Sequence, residues 1–324
     1  MGNDSLRSLF RDERKTMHAG GRRYIVYSDP EMSVRIWNLA DLHMGNAGVV
    51  EGKLDSDIQT IRDDRRSFWF GGGDYADFIG IGDKRFDPTV LAEWIDAKDL
   101  GALGLVLSRR VADRLNPIKS KCLGLLDGNH EHAYGLHMQQ QGITQRLADE
   151  LGVRYLGYSA FVDLVFVYSP RSRNCPQLVS ESACPRGKKR LSVRMFLHHG
   201  AGYAQTPGGK LNKVVGAMDF FDADVIFLAH IHDQIVKSQV RLHADQWCRK
   251  ILERGQIGVI TGSYLSTYAE GQTGYGEMKL WRPVPLGAVY VDITPYRREV
   301  AATVKGVLSA GSESETTEPD QQAS

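Results

Sequence analysis

The stretch Leu125-Leu126-Asp127-Gly128-Asn129-His130-Glu131, "LLDGNHE", joins an apolar run directly to a carboxylate, a glycine, an amide, an imidazole and a second carboxylate. A simple turn would explain the glycine and the asparagine. A binding or catalytic site at the end of a buried strand would explain all of these groups together. The stretch alone leaves both interpretations open, so the rest of the chain has to decide between them.

Four other stretches have the same form, in which a short apolar run of strand length ends in a polar cluster. The five stretches are "VRIWNLADLH" (34–43), "SFWFGGGDYAD" (67–77), "CLGLLDGNHE" (122–131), "VRMFLHHG" (193–200) and "VIFLAHIH" (225–232). Helical spacing of apolar residues lies between them, over 87–115 and 142–152. Strands that alternate with helices indicate an α/β fold, in which sites gather at the carboxyl ends of the strands.

The domain organisation follows from changes in composition along the 324 residues. Residues 1–32 are predicted to form an N-terminal arm, 33–308 the α/β domain, and 309–324 a disordered polar tail. Within the domain, 154–169 is expected to form a β-hairpin. Residues 170–190 are expected to form a basic insertion.

Composition excludes some classes of protein. Hydrophobic residues make up 42% of the chain and the formal net charge is +1, so no overall field draws it to nucleic acid or to an anionic membrane. The sequence shows no apolar signal segment and no run near the ~18 apolar residues of a membrane span. Four cysteines do not form a disulfide framework in a chain of this length. A soluble cytoplasmic protein is therefore expected.

The polar clusters contain the ligands that divalent metals prefer. On a strand, residues i and i+2 point to the same side, so Asp41 with His43 and His230 with His232 would each present two ligands in one direction. Carboxylate, imidazole and amide oxygen suit manganese, iron or zinc. The candidates are Asp41, His43, Asp74, Asn129, one of the neighbours His198 and His199, His230 and His232. This set is too large for one tetrahedral ion and suits two ions that share a carboxylate.

In order along the chain, Asp-x-His, Gly-Asp-x-x-Asp, Gly-Asn-His-Glu, His-Gly and x-His-x-His resemble the calcineurin-like metallophosphoesterase superfamily. The resemblance covers about residues 34–232 and is specific because of the combination of motifs. It implies a four-layer α/β/β/α sandwich, with two mixed β-sheets flanked by helices. It also implies hydrolysis of phosphate esters by two divalent ions, for which manganese is expected and iron or zinc are alternatives.

Matched position by position, the resemblance implies a role for each residue. The first ion would be held by Asp41, His43, Asp74 and His232. The second would be held by Asp74, Asn129, His199 and His230, with Asp74 shared. A hydroxide between the ions would attack phosphorus. His130 would be the general acid, oriented by Asp77.

Two departures from the family pattern narrow the function. Phe78 and Asp127 stand where Ser/Thr protein phosphatases carry arginines that grip a phosphomonoester dianion. The motifs resemble the nuclease and phosphodiesterase members more closely, so phosphodiesters are the expected substrates. A phosphomonoesterase or nucleotide pyrophosphatase with the same site is the alternative. A non-catalytic scaffold for protein binding is a third reading.

DNA or RNA is a candidate substrate because the insertion is strongly basic. It carries Arg171, Arg173, Arg186, Lys188, Lys189 and Arg190 against Glu181 alone. A solvated surface hairpin explains these charges equally well. Tyr264, Tyr268, Tyr275 and Trp281 in the loop over 262–287 could stack on bases or simply pack the loop. Cys175 and Cys184 could form a metal clip, a redox pair or neither.

Overall fold

The computed structural model describes residues 18–137, 142–173, 175–186, 189–268 and 275–303. The strands within these ranges are β1 (His18–Tyr27), β2 (Val34–Leu39), β3 (Ser67–Gly71), β4 (Cys122–Leu125), β5 (Ser159–Tyr168), β6 (Gln177–Val179), β7 (Arg190–His198), β8 (Val225–Leu228), β9 (Ile235–Ala244), β10 (Ile251–Ile260), β11 (Val289–Thr294) and β12 (Glu299–Thr303). The helices are α1 (Glu51–Asp63), α2 (Leu103–Leu115), α3 (Asn129–His137), α4 (Ile143–Leu151), α5 (Pro207–Phe220) and α6 (Tyr275–Met278).

The strands form two mixed sheets. The seven-stranded sheet has the order β6-β1-β5-β7-β8-β10-β9, and the five-stranded sheet has the order β12-β11-β2-β3-β4. In the five-stranded sheet β2, β3 and β4 run parallel. In the seven-stranded sheet β7, β8 and β10 run parallel. Parallel strands bring their carboxyl ends to one edge of a sheet, which is the geometry that the five polar clusters need.

The main core lies between the two sheets. Ile36 and Phe70 from the five-stranded sheet pack with Phe166, Leu197 and Phe227 from the seven-stranded sheet, and all are buried. Alternate residues of one strand therefore face this core. The β-branched and aromatic side chains suit such a pleated surface. Each fully buried side chain of this size contributes ~1.5–3 kcal/mol.

Helices cover the outer face of each sheet. Trp37 and Trp69 on the five-stranded sheet pack with apolar residues of α1, α2 and α4, which include Ile58, Leu107 and Leu147. On the other side, Phe196 and Ile226 of the seven-stranded sheet pack with Val214 and Met218 of α5. The order of layers is helix, sheet, sheet, helix. The expected α/β/β/α architecture is confirmed.

The helix predicted over 87–115 is shorter than expected, because α2 begins only at Leu103. Residues upstream are drawn into contact with a neighbouring loop, since the Ala47 amide donates to the Val90 carbonyl at 2.8 Å and the Ala92 amide to the Gly45 carbonyl at 2.9 Å. This pairing is incompatible with a continuous α-helix over these residues. Asp87 still caps a turn, with its side chain accepting from the Thr89 amide, but the turn is a short 3-10 turn.

The predicted hairpin over 154–169 is a single strand, β5. Its expected first arm joins the other sheet instead, because the Leu125 amide donates to the Arg154 carbonyl and the Leu156 amide to the Leu125 carbonyl, both at 2.8 Å. Within the predicted arm over 1–32, His18–Tyr27 is strand β1, paired parallel with β5. Residues 1–17 and the tail over 309–324 lie outside the described residues, so the domain boundaries stay predictions.

The basic insertion lies at the opposite end of the sheet from the polar clusters. Strand β7 starts at Arg190, which pairs with Val167, and ends at His198, which pairs with Ser159. At about 3.3 Å per residue, the start of β7 is roughly 26 Å from its end. Part of the insertion forms β6, which pairs with β1. The insertion therefore begins and ends far from the carboxyl edge.

Across the described ranges, none of the helices has both the length and the apolar character that a membrane span requires. The cytoplasmic location stays a prediction.

Candidate metal centre

The predicted ligands lie just beyond the strand ends, on a backbone of unusual conformation. Asp41, His43, Asp74, His230 and His232 have φ values of 52°, 46°, 52°, 67° and 48°. Non-glycine residues adopt this left-handed region rarely and at a cost, and they do so mainly at functional sites. The two members of each pair do lie together, as predicted, but the reason given for it, strand geometry at residues i and i+2, was wrong. Paired left-handed turns aim Asp41 with His43 and His230 with His232.

The first group of ligand atoms comes from Asp41, His43 and His232, all within 4.8 Å of one another. Asp41 Oδ1 is buried and has no hydrogen-bond partner among the described residues. It lies 3.3 Å from His232 Nε2. That nitrogen lies 3.2 Å from His43 Nε2. Two imidazole nitrogens and an unsatisfied carboxylate oxygen thus converge on one point, as a cation site requires.

The second group comes from Asp74, His199 and His230, within the same 4.8 Å limit. His199 Nε2 lies 3.3 Å from Asp74 Oδ2 and 2.9 Å from Asn129 Oδ1. Asp74 Oδ2 is also 4.0 Å from His43 Nε2 in the first group. Asp74 is therefore the residue that adjoins both groups.

Each carboxylate is held by the backbone through one oxygen and left open through the other. The His230 amide donates to Asp41 Oδ2, and the His130 amide donates to Asp74 Oδ1, both at 2.9 Å. The second oxygen of each carboxylate faces the histidines. The first of these bonds also ties the two sheets together, because Asp41 follows β2 of one sheet and His230 follows β8 of the other.

Of the two adjacent histidines, His199 faces the centre. It is fully buried, and its Nδ1 donates to the Gly72 carbonyl at 2.7 Å, which leaves Nε2 directed at Asp74. Such a backbone bond fixes the tautomer that a metal-binding imidazole needs. His198 instead uses Nδ1 to accept from the Gly200 amide at 2.7 Å.

The charges of the centre favour a cation. Burial opposes ionisation of Asp74, but His199 and His130 outweigh it and hold the pKa of Asp74 well below its ordinary value. Burial also opposes protonation of His199, yet Asp74 dominates and raises the pKa of His199 to about 10. Burial together with the neighbouring His199 lowers the pKa of His230 to about 4. A metal ion that used these imidazoles would displace the proton on His199.

Asp77 has a wider role than sequence analysis assigned to it. Its Oδ1 lies 3.1 Å from His43 Nδ1, so it orients a predicted metal ligand. The same oxygen is 3.5 Å from His130 Nδ1. Asn46, which the sequence analysis missed, donates to Asp77 Oδ2 at 2.9 Å. In the sequence, its position three residues after the predicted ligand His43 was the signal that could have indicated this role.

His130 is anchored mainly by the backbone of Asp77. Its Nδ1 donates to the Asp77 carbonyl oxygen, because a carbonyl can only accept. Burial lowers the pKa of His130, but the charges of Asp74 and Asp77 outweigh burial and raise it. With Nδ1 committed, Nε2 is the nitrogen that can exchange a proton with a bound substrate.

Glu131 fixes the loop beneath the centre. Its carboxylate accepts from the backbone amides of Asp74 and Gly128 at 3.0 Å and of Tyr75 at 2.7 Å. Burial and the nearby Asp74 raise the pKa of Glu131 to about 7. A Cβ at Gly128 would lie 2.1 Å from the Asp74 amide nitrogen, so only glycine allows these two loops to approach.

Of the two alternatives for the aromatic residues of the 262–287 loop, the structure favours packing at Tyr264 and Trp281. Tyr264 is fully buried and donates to Asp57 at 2.8 Å, so it is unavailable to a base. Trp281 packs against Tyr203 with ring centroids 5.0 Å apart. The side chain of Tyr275 lies outside the described residues. Cys175 and Cys184 are free thiols in an apolar cluster behind β1 and β5.

The residues present fit a divalent metal centre. The donor set is carboxylate, imidazole and amide oxygen, an orphaned carboxylate oxygen is aimed into it, and the left-handed turns hold the donors in place. The clusters can bind metal ions. The number and identity of the ions, and the role of each predicted ligand, stay predictions.

No protein-family model matches the chain, and no curated protein matches it. Among solved structures, GAP50, the anchor in the inner membrane complex of Plasmodium, aligns over 81% of each chain with 9% identity and a TM-score of 0.40. Vps29 of Chaetomium thermophilum aligns over 83% of this chain and 95% of its own, with 10% identity and a TM-score of 0.31. At TM-scores below 0.5, these similarities carry no argument about function.

Proposed function

We propose that this protein is a di-metal hydrolase of phosphate esters, with phosphodiesters as its substrates. The observation that carries the proposal is the position of Asp74. Its free oxygen adjoins His199 of one ligand group at 3.3 Å and His43 of the other at 4.0 Å. A shared carboxylate between two histidine-rich groups is the arrangement that two-metal hydrolysis uses.

In this proposal the predicted ligands would be divided between two ions as in the sequence analysis. Asp41, His43 and His232 would hold one ion, Asn129, His199 and His230 the other, and Asp74 both. Bound divalent ions would supply Lewis acidity, which activates water at neutral pH and neutralises charge on phosphate oxygens.

The chain's own part in the chemistry is proton transfer and orientation. His130 would give the proton on Nε2 to the leaving alkoxide, and the Asp77 carbonyl keeps the ring in place through Nδ1. The raised pKa of His130 favours the imidazolium form that a general acid requires. The Asp77 carboxylate would meanwhile keep His43 in its ligand tautomer.

Two residues favour diesters over monoesters. Phe78 is buried and packs on Tyr134 with ring centroids 5.6 Å apart, and Asp127 accepts a hydrogen bond from the Tyr155 hydroxyl. Neither position offers a guanidinium for a dianion. A phosphomonoesterase or nucleotide pyrophosphatase remains the alternative. A protein-binding scaffold would be expected to lose ligands, and this chain keeps every one.

The test compares bis-p-nitrophenyl phosphate with p-nitrophenyl phosphate. The protein is stripped of metal, reloaded with Mn²⁺ and assayed beside Asp74→Ala and His130→Ala. We expect metal-dependent cleavage of the diester and loss of turnover in both variants. Turnover of the monoester alone would show that the proposed substrate class, phosphodiesters, is wrong. Two bound metals without any turnover would favour the scaffold.

A further inference from the structure

The turn that follows Asp77 presents an arginine beside the candidate centre. It is fixed by three hydrogen bonds from backbone amides: the Asp83 amide donates to the Gly80 carbonyl, the Phe86 amide to the Asp83 carbonyl, and the Arg85 amide to Asp83 Oδ1, all at 2.9 Å. A turn held in this way presents its side chains from a defined backbone. The arginine of this turn, Arg85, is used neither by the metal centre nor by the proposed mechanism.

The guanidinium of Arg85 is held but not saturated. Nε lies 3.1 and 3.2 Å from the two oxygens of Asp83, and Nη2 lies 2.7 Å from Oδ2. Within the part of the chain that the structure describes, Nη1 has no hydrogen-bond partner, and the side chain is 41% exposed. The Asp83 carboxylate therefore orients the group and leaves one edge open to a ligand.

Arg85 and Asp77 line the same pocket, which places the guanidinium on the side of the centre where His130 and His43 are held. The Asp83 hydrogen bond is the main influence on Arg85 and outweighs its burial, and the charges of Asp83, Asp77 and Asp74 act in the same direction to raise its pKa. Asp74, which would be the carboxylate shared by the two ions, thus lies within the electrostatic reach of Arg85.

Apart from Asp87, the rest of the pocket wall is apolar, with a lining that includes Phe78, Phe86, Val90, Leu91, Leu103 and Leu107. The cavity is about 20 Å³, which is room for about one water molecule. An anion bound by Arg85 would therefore lie at the mouth of the pocket, against the exposed edge of the guanidinium. Arginine is the side chain best suited to grip phosphate oxygens, through paired N–H donors.

We propose that Arg85 is a substrate-binding residue that contacts a phosphate oxygen of the phosphoester. It would do so from its own turn, and not from the positions of Phe78 and Asp127, where protein phosphatases carry arginines. The inference rests on the proposed function and names a specificity residue of the same site. The phosphate can be the one that is cleaved or a neighbouring phosphate of a nucleotide substrate. The chemistry recognised is the same in both cases.

The first experiment measures KM and kcat of the Mn²⁺-loaded protein and of Arg85→Gln. Loss of a charge-assisted hydrogen bond predicts a rise in KM of about tenfold or more. Arg85→Lys keeps the charge but loses the fork, so it should recover only part of the effect. Arg62→Gln is the matched control. Arg62 also pairs with a neighbouring aspartate, Asp63, in an exposed fork, and it precedes the amino end of β3, whereas the centre follows the carboxyl end.

Two substrates distinguish the two sources of phosphate. Bis-p-nitrophenyl phosphate has only the reacting phosphate, whereas a dinucleotide with a terminal phosphate has a second one. An effect of Arg85→Gln on both substrates assigns Arg85 to the reacting phosphate. An effect confined to the dinucleotide assigns it to the neighbouring phosphate. Unchanged KM for both substrates, in a variant that melts within a few degrees of the parent, overturns the proposal.

A binding measurement separates failure of this inference from failure of the proposed function. Titration of the Mn²⁺-loaded protein with inorganic phosphate should give an affinity about tenfold or more weaker in Arg85→Gln than in Arg62→Gln. If the parent protein binds phosphate through Arg85 but hydrolyses nothing, the inference stands and the enzymatic function fails. If the parent hydrolyses diesters and phosphate binding is equal in both variants, the function stands and the inference fails.

Discussion

The two ends of the seven-stranded sheet are built differently. At the carboxyl end of β7 and β8, this sheet meets the loops that follow β2 and β3 of the other sheet. The polar residues that meet there, His199, Asp41 and Asp74, are only 0–1% exposed. At the opposite end, the β9–β10 hairpin exposes apolar side chains, with Leu242 67% and Ile251 76% exposed. Both ends belong to the same sheet, so the difference in side-chain burial arises from the residues at each end and not from the stability of the sheet as a whole. Buried carboxylates and imidazoles on left-handed turns are therefore concentrated at the end that carries the candidate centre.

The change expected to break this contrast most severely is Asp74→Ala. It removes the carboxylate shared by both ligand groups, so we expect loss of bound metal and a fall in turnover of at least about a thousandfold, the scale of removing a major electrostatic stabiliser. Metal content by mass spectrometry and diester hydrolysis measure the two effects. Asp63→Asn, at an exposed carboxylate remote from the centre, is the control. Retention of two metals by Asp74→Ala would contradict the assignment.

Gly128→Ala should be the next largest effect. Its new Cβ would approach the Asp74 amide nitrogen and Oδ1 to 2.1 Å, so one of the two loops must move. Overpacking of this kind costs ~1–3 kcal/mol in unfolding free energy and would displace a predicted ligand. The comparison is Gly255→Ala in β10, where a Cβ would meet nothing within 4 Å. Equal denaturant midpoints for the two variants would show that the contact is easily relieved.

Glu131→Gln tests whether the buried carboxylate supports the loops. Glutamine offers one acceptor oxygen to three backbone amides and turns its own amide group toward a donor, so we expect a loss of ~1–3 kcal/mol in unfolding free energy. Glu181→Gln is the control from the other end of the sheet, since the Glu181 carboxylate accepts only from the Tyr24 hydroxyl among its described contacts. The result to compare is the midpoint of urea unfolding, and matching shifts would argue against a special role for Glu131.

The smallest effect is expected from the basic insertion. Replacing Arg171, Arg173 and Arg186 together by glutamine should change kcat/KM for bis-p-nitrophenyl phosphate by less than about twofold. The insertion ends at the start of β7, roughly 26 Å along that strand from the end that adjoins the centre, which is well beyond the screening length of ~8 Å at physiological salt. Steady-state kinetics at two salt concentrations provide the check. A large, salt-dependent loss would bring the insertion into contact with the substrate and revive a nucleic-acid role.

Much of the centre could be predicted from the sequence, because each polar cluster directly follows an apolar run. Strands of matching direction carry such clusters to one edge, whatever the details of the loops. The residues that sequence analysis missed act through turns instead. Asn46 donates to Asp77 by a side-chain hydrogen bond, and Arg85, the proposed substrate-binding residue, is held on a turn by Asp83. The choice of His199 over His198 also depends on a backbone contact, to Gly72.

The sequence by itself determined the α/β class, the five strands that end in polar clusters and the chemistry of the donor set. It did so because burial and residue type act locally and leave a period and a composition to read. Only the tertiary structure decided where the 87–115 and 154–169 segments break, since each break pairs backbone groups with a distant loop or strand. The same long-range contacts decided which oxygen or nitrogen of each ligand faces the centre, because that depends on backbone angles and partners that no local pattern encodes.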